Sequence, residues 1–255
     1  MKAFVVFSCA LLALLSLVDA APLEQRVETD PELTAGFFEG DIILDKQRNG
    51  LKNETRRWPN NTVYYKINDG FFDDAHREYI ILGMKIIESE SCIRFVEADD
   101  TTKNYVSITG YDGGCYSSVG FLTGVQEYNL AIYDLDAGCF RLGTIVHEFL
   151  HTLAFFHMQS ASNRDDYVRI VEENILPNTL GNFNKYDTNY VDDYDEEYDY
   201  GSVLHYPAYA FSKNGGITIE PLQNVEEMKE LMGQRRGMSK SDINKLNVMY
   251  KCIKG

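Results

Sequence analysis

The chain is poor in positive charge. Its 24 Lys and Arg stand against 39 Asp and Glu, a formal net charge of −15 at pH 7. Nucleic acids and anionic membrane surfaces require a basic face, so this balance argues against both as partners. Phosphate-loop and calcium-loop signatures are missing too. The glycine-rich stretch Gly110-Tyr111-Asp112-Gly113-Gly114-Cys115 leads into no helix with a P-loop lysine and reads as a turn. The acidic run from Asp192 to Asp199 lacks EF-hand spacing and reads as a solvated loop. No internal repeat is present. Apolar mass is not lacking: with 44% hydrophobic residues in 255, the chain can bury one good-sized core or two subdomains flanking a cleft.

Residues 1–20 read as a secretory signal peptide, with Lys2, an apolar run from Ala3 to Val18, and Val18 and Ala20 placed for cleavage before Ala21. The run is at the short end for a membrane span, so removal is expected rather than anchoring. The destination is then extracellular, with no membrane attachment. Cysteine usage agrees. Of five cysteines Cys9 leaves with the signal, and Cys92, Cys115, Cys139 and Cys252 remain as an even set. Sequence alone leaves three connectivities open. Asn53-Glu54-Thr55 and Asn60-Asn61-Thr62 are glycosylation acceptors in a secreted protein.

Histidine is scarce, yet three of the five fall in the stretch His147-Glu148-Phe149-Leu150-His151-Thr152-Leu153-Ala154-Phe155-Phe156-His157. On a helix His147 and His151 lie one turn apart on one face with Glu148 beside them, as a hydrolytic zinc requires. A catalytic zinc takes three protein ligands and keeps a fourth position for water. His157 is the candidate third ligand. It lies too far along for the same helical face, so the helix must stop near Leu153 or Ala154 and turn back. Glu148, not a ligand, then serves as general base. A lone histidine on such a helix would more often be a satisfied core residue, but this spacing favours metal. A closed structural zinc site would want four protein ligands and no glutamate base.

These eleven residues resemble the long zinc signature of the metzincins, and the wider context resembles the astacin family of secreted metalloendopeptidases over residues 37–252. The resemblance implies an α+β fold with an N-terminal mixed sheet and helices, and an irregular C-terminal subdomain across an active-site cleft. It implies one Zn2+ per chain, protein or peptide substrates, and a monomer made as a zymogen. Phe38-Glu39-Gly40-Asp41 resembles the element with which astacin propeptides place an aspartate on the zinc, so Asp41 is expected as the inhibitory ligand. The expected parts are a signal at 1–20, a propeptide at 21–48 cut after Arg48 by an activating protease, and a catalytic domain at 49–255. The family's disulfide pattern implies Cys92 with Cys252 and Cys115 with Cys139.

Ser202-Val203-Leu204-His205-Tyr206 resembles the family's Met-turn, with Leu204 in place of the methionine that floors the metal. Tyr206 is kept as the hinged residue that stabilises the oxyanion, and His205 is expected to hydrogen-bond rather than ligate. Gly233-Gln234-Arg235 resembles a segment in which arginine lines the pocket after the scissile bond, which makes Arg235 a determinant for acidic side chains. Two further positions depart from the pattern. Ala154 stands where the signature has glycine, and Met158 stands where many astacins have the glutamate that receives the mature N-terminus. Such departures would suit a secreted binding protein that kept the fold and lost catalysis. Against that reading, every chemically indispensable residue is present.

Hydrophobic patterning predicts a strand over Thr62–Ile67, a helix capped by Asp73 or Asp74 with Tyr79, Leu82, Ile86 and Ile87 inward, and strands at 93–96, 105–109 and 129–135. A metal helix is expected from about Cys139 to Leu153, with Leu142, Ile145, Val146, Phe149 and Leu153 as its apolar stripe. A last helix should start at a Ser239/Asp242 capping box.

Overall fold

In the computed structural model, residues 30–44 and 54–252 are described. The signal peptide, the boundary after Arg48 and the Asn53 acceptor lie outside them. A six-stranded mixed sheet runs in the order β1-β5-β6-β4-β2-β3. Its strands are β1 (Ile42–Ile43), β2 (Thr62–Ile67), β3 (Arg94–Glu97), β4 (Tyr105–Thr109), β5 (Cys115–Ser118) and β6 (Val125–Leu130). Helix α1 (Asp74–Glu90) lies between β2 and β3 in the chain, and α2 (Leu142–Thr152) follows β6. The C-terminal half is mostly irregular, with a two-stranded sheet of β7 (Val168–Ile170) and β8 (Ile219–Pro221), then α3 (Val225–Leu231) and α4 (Lys240–Met249). Two buried clusters form, one between the sheet and its helices, the other around Val168, Phe183, Tyr206 and Ile219. Among the described residues no helix is long and apolar enough to cross a membrane.

Several elements differ from the patterning. The α1 face turned inward carries Ile80, Gly83, Met84 and Ile87, while Leu82 is exposed. The cause is close backbone approach: a Cβ on Gly83 would lie 2.5 Å from Cγ2 of Ile145 on α2. Proximity of two helices, not the count of apolar side chains, fixes that face. β6 ends at Leu130, and the apolar run beyond it, with Ile132, Tyr133 and Leu135, is exposed. β5 reads in the sequence only as the end of a turn, because it is short and carries little besides serine and one tyrosine. The metal helix begins at Leu142 rather than Cys139, since Arg141 is extended at ψ 132° and separates it from a short 3-10 turn, Gly138–Phe140. The expected stripe of Ile145, Val146, Phe149 and Leu153 lies in the core, and the opposite face is covered as well, so that every residue from Gly143 to Thr152 is buried.

The end of α2 is fully partnered. The amide of Phe155 donates to Leu150 O at 3.0 Å and that of Ala154 to His151 O at 2.8 Å, the paired bonds of a Schellman cap. Trp58 Nε1 donates to Thr152 O at 2.9 Å and the Gly120 amide to His151 O at 2.9 Å. Last-turn carbonyls that would otherwise be orphaned in the core are thus satisfied. Ala154 takes the left-handed cap position at φ +76°, where glycine carries no steric penalty. Two disulfides, Cys92–Cys252 and Cys115–Cys139, tie the C-terminus to the end of α1 and the start of β5 to the approach to α2.

Ala154→Gly is predicted to raise stability by about 1 kcal/mol, the cost of a left-handed alanine less the added flexibility of glycine. Thermal unfolding should show a rise in Tm of about 2–4 °C. A fall would show that the methyl, fully buried, contributes more than the cap strains.

Candidate metal centre and active site

The cap that stops α2 also orients its second histidine. Reversal of the chain at Ala154 places Phe155 O where His151 Nδ1 donates to it at 2.7 Å. His147 Nδ1 donates to Val203 O at 2.8 Å, and His157 Nδ1 donates to Glu39 Oε2 at 2.8 Å. With each Nδ1 proton so fixed, the three Nε2 atoms point inward as lone-pair donors. His147 Nε2 lies 3.0 Å from His151 Nε2 and 3.3 Å from His157 Nε2. Asp41 completes the group, its carboxylate 3.1, 3.6 and 3.4 Å from the Nε2 atoms of His147, His151 and His157. All four residues are buried, and their donor atoms lie within 4.8 Å of one another.

This donor set fits zinc. Tetrahedral bonds of about 2.0–2.1 Å require neighbouring donors roughly 3.3 Å apart. Lone pairs facing one another at such distances repel without a cation between them. Asp41 Oδ1 is buried without a hydrogen bond, as are both oxygens of Glu148 beside the cluster. Burial, and then the charges of Asp41 and Glu32, push the Glu148 carboxyl well above its ordinary range.

The segment that delivers Asp41 crosses the cleft as an added strand. Ile42 pairs with Ser117 in parallel register at the free edge of β5, and the Ser117 amide donates to Asp41 O at 2.9 Å. Gly40 makes the turn at φ +88°, and a Cβ there would stand 2.7 Å from Glu32 O. A side chain would therefore push the segment off its own backbone. Upstream, Glu32 forms a buried bidentate pair with Arg235. Asp30 meets Arg141 at 3.1 Å. Burial alone would raise Glu32, but the Arg235 guanidinium holds it below the usual carboxylate range. Arg235 is seated by Gly143 in the first turn of α2, where a Cβ would fall 2.0 Å from Arg235 O.

Leu204 is buried in the core cluster of the sheet and its helices, and its carbonyl accepts from the Met158 amide at 3.1 Å. Met158 has an unusual neighbour, buried Lys245, whose Nζ donates to Met158 Sδ at 3.4 Å. Tyr206 donates its hydroxyl to the main-chain oxygen of Glu39. His205 stays out of the cluster, bridging Tyr198 OH and Tyr206 O at 2.7 Å each. Three contributions are not legible in the sequence. Glu39 stands inside the propeptide-like element and Glu32 upstream of it, and neither side chain is marked by the sequence for a role of its own. Asp242, which reads only as a helix cap, also accepts from Ser202 Oγ at 2.6 Å and the Val203 amide at 2.9 Å. It therefore fixes the carbonyl that orients His147.

Residues 50–251 match the family model described as Astacin, a peptidase family. Seminal metalloprotease 1 of Drosophila melanogaster is 46% identical over 228 residues, 88% of this chain and 90% of that one. Zinc metalloproteinase nas-4 of Caenorhabditis elegans is 36% identical over 245 residues, 92% of this chain and 75% of that one. Among solved structures, high choriolytic enzyme 1, a hatching enzyme zinc-protease from the medaka Oryzias latipes, superposes with a TM-score of 0.68 at 34% identity, covering 83% of this chain and 98% of its own.

Asp242→Ala removes the acceptor shared by Ser202, Val203 and Ser239. A loss of about 2–3 kcal/mol is expected from bonds to a buried charge, measured by denaturant unfolding of the zinc-loaded chain. An unchanged midpoint would show that the turn holds itself.

Proposed function

This chain belongs to the astacin family of zinc metalloendopeptidases, and on that premise we propose a secreted zymogen in which His147, His151 and His157 hold zinc and Asp41 blocks its fourth position. The observation that carries the reading is Asp41 lodged among three converging Nε2 atoms beside a Glu148 with no partner of its own. Residues 1–20 direct secretion, and an activating protease cuts after Arg48. The catalytic domain, residues 49–255, then acts as a monomer free of the membrane. Asn53 and exposed Asn60 are its glycan acceptors.

Zinc bound there supplies Lewis acidity toward a peptide carbonyl and lowers the pKa of water. Departure of the leader strand vacates the β5 edge, to which an extended substrate adds as a strand. As water attacks the scissile carbonyl carbon, Glu148 takes its proton. The C–N bond then breaks and Glu148 hands that proton to the leaving nitrogen. Tyr206, released from Glu39 O, donates its phenol to the oxygen on which negative charge develops. Arg235, now paired with Glu32, is left to bind an acidic side chain of the residue after the scissile bond, where its planar fork favours a carboxylate.

Glu148→Gln should keep its zinc and lose peptide hydrolysis by about 10²–10⁴-fold or more, the usual worth of a general base. Metal analysis beside a peptide-cleavage assay of the activated chain reads both, and a chelator should silence the wild type. Retained cleavage in the variant would remove Glu148 from the mechanism. In the same assay Arg235→Gln should lower kcat/KM for substrates with Asp or Glu after the cut by about tenfold or more relative to their amides. An unchanged ratio would place the acid-reading group elsewhere.

A further inference from the structure

Two of the three cluster histidines take their Nδ1 acceptor from the catalytic domain's own backbone, Phe155 O for His151 and Val203 O for His147. The third does not. His157 Nδ1 donates to Glu39, a residue of the leader. The same carboxylate accepts from Ser160 Oγ at 3.1 Å and Tyr186 OH at 2.8 Å. This is a built carboxylate cradle: Glu39, His157 and Ser160 are all at least nine-tenths buried, and the Tyr186 ring is held by Phe156 and Tyr190 at centroid distances of 4.9 Å. The backbone also bends to fill it. Glu39 takes φ +49°, and its amide donates to Asn182 Oδ1 at 3.0 Å.

We propose that this cradle is a second acid-reading subsite of the activated enzyme, which takes an acidic side chain of the bound peptide where Glu39 now sits. Once the leader departs, three donors from two segments of the catalytic domain, the turn at His157 and Ser160 and the loop at Tyr186, lose their common acceptor. A carboxylate satisfies all three with charge-assisted bonds. Its amide turns one NH2 group against donors and satisfies fewer. Since the imidazole concerned also faces the metal, an acid in this position completes a carboxylate–histidine pair of the kind that orients and strengthens a metal ligand. Acidic substrates would be read twice, by Arg235 through the site of Glu32 and by His157, Ser160 and Tyr186 through the site of Glu39.

The inference rests on residues before Asn49 being a removable leader, so its test must not depend on turnover. The full chain carrying Glu148→Gln is activated by limited proteolysis, freed of leader and loaded with zinc. Binding of a labelled peptide with the sequence of residues 30–43 is measured by fluorescence anisotropy against the same peptide with Glu39→Gln. The acid should bind about tenfold more tightly than the amide. In the Ser160→Ala/Tyr186→Phe chain that ratio should fall toward one, while the ratio for Glu32→Gln peptides is retained. A Glu39-to-Gln ratio near one in the parent, or one unmoved by the double change, would overturn the proposal. A further arm profiles acid and amide pairs in a substrate library cut by the active chain. Preference for an acid at one position besides that read by Arg235, lost in the double variant, supports a peptide side chain as the occupant. Binding of the leader peptide alone, without such a preference, would confine the cradle to inhibition and overturn the subsite. An active chain that binds neither peptide but still cuts would refute the inference and leave the protease reading intact.

Discussion

Everything in this molecule answers to one electrostatic constraint: three imidazole lone pairs must face one point inside a buried cleft. Such a group is unstable alone, because lone pairs repel and the interior solvates them poorly. It is made possible by fixing the opposite nitrogen of each ring. Phe155 O and Val203 O do this for His151 and His147, and both acceptors are main-chain atoms whose positions follow from how the chain turns. The Schellman cap at Ala154 is therefore part of the metal centre as much as part of the helix. So is Asp242, which sits at the start of α4 yet holds the Val203 peptide.

On the proposed reading the N-terminal segment uses the cleft by the same rules that a substrate would. It lies along the β5 edge, sends Asp41 among the histidines and sets Glu32 against Arg235. On the proposed reading, latency needs no special inhibitory fold. An acidic strand occupying the site with its carboxylates in the sockets for substrate and water is sufficient. On the same reading Arg235 has two uses, since the guanidinium now neutralised by Glu32 would become the recognition element once the leader is removed.

Local spacing makes the centre legible and distance conceals its supports. His147, Glu148, His151 and His157 fall within eleven consecutive residues, so one helical turn and one stop signal suffice to bring them together. Asp41 is legible only through the resemblance of Phe38–Asp41 to the astacin propeptide element. Glu39, beside it, is not: its partners His157, Ser160 and Tyr186 lie 118, 121 and 147 positions away, and nothing in a glutamate announces a left-handed backbone. Helix α1 is legible with its N-cap at Asp73, but its buried face is not, because Gly83, the residue of closest approach, carries no hydrophobic signal. The strand expected at 129–135 fails for the opposite reason. Asn129 and Leu130 end β6, but the apolar residues Ile132, Tyr133 and Leu135 are exposed rather than paired, and β-propensity describes a half-buried pleated surface that this stretch never joins.

On the proposed reading, latency turns on what fills the fourth position of the metal before activation. Crystals of the zinc-loaded full chain, measured on both sides of the zinc absorption edge, would locate the ion directly. A single anomalous peak is predicted about 2.0–2.2 Å from Nε2 of His147, His151 and His157 and from one oxygen of Asp41. A peak bound by the histidines with Asp41 withdrawn and solvent in its place would contradict this, and latency would then need another cause.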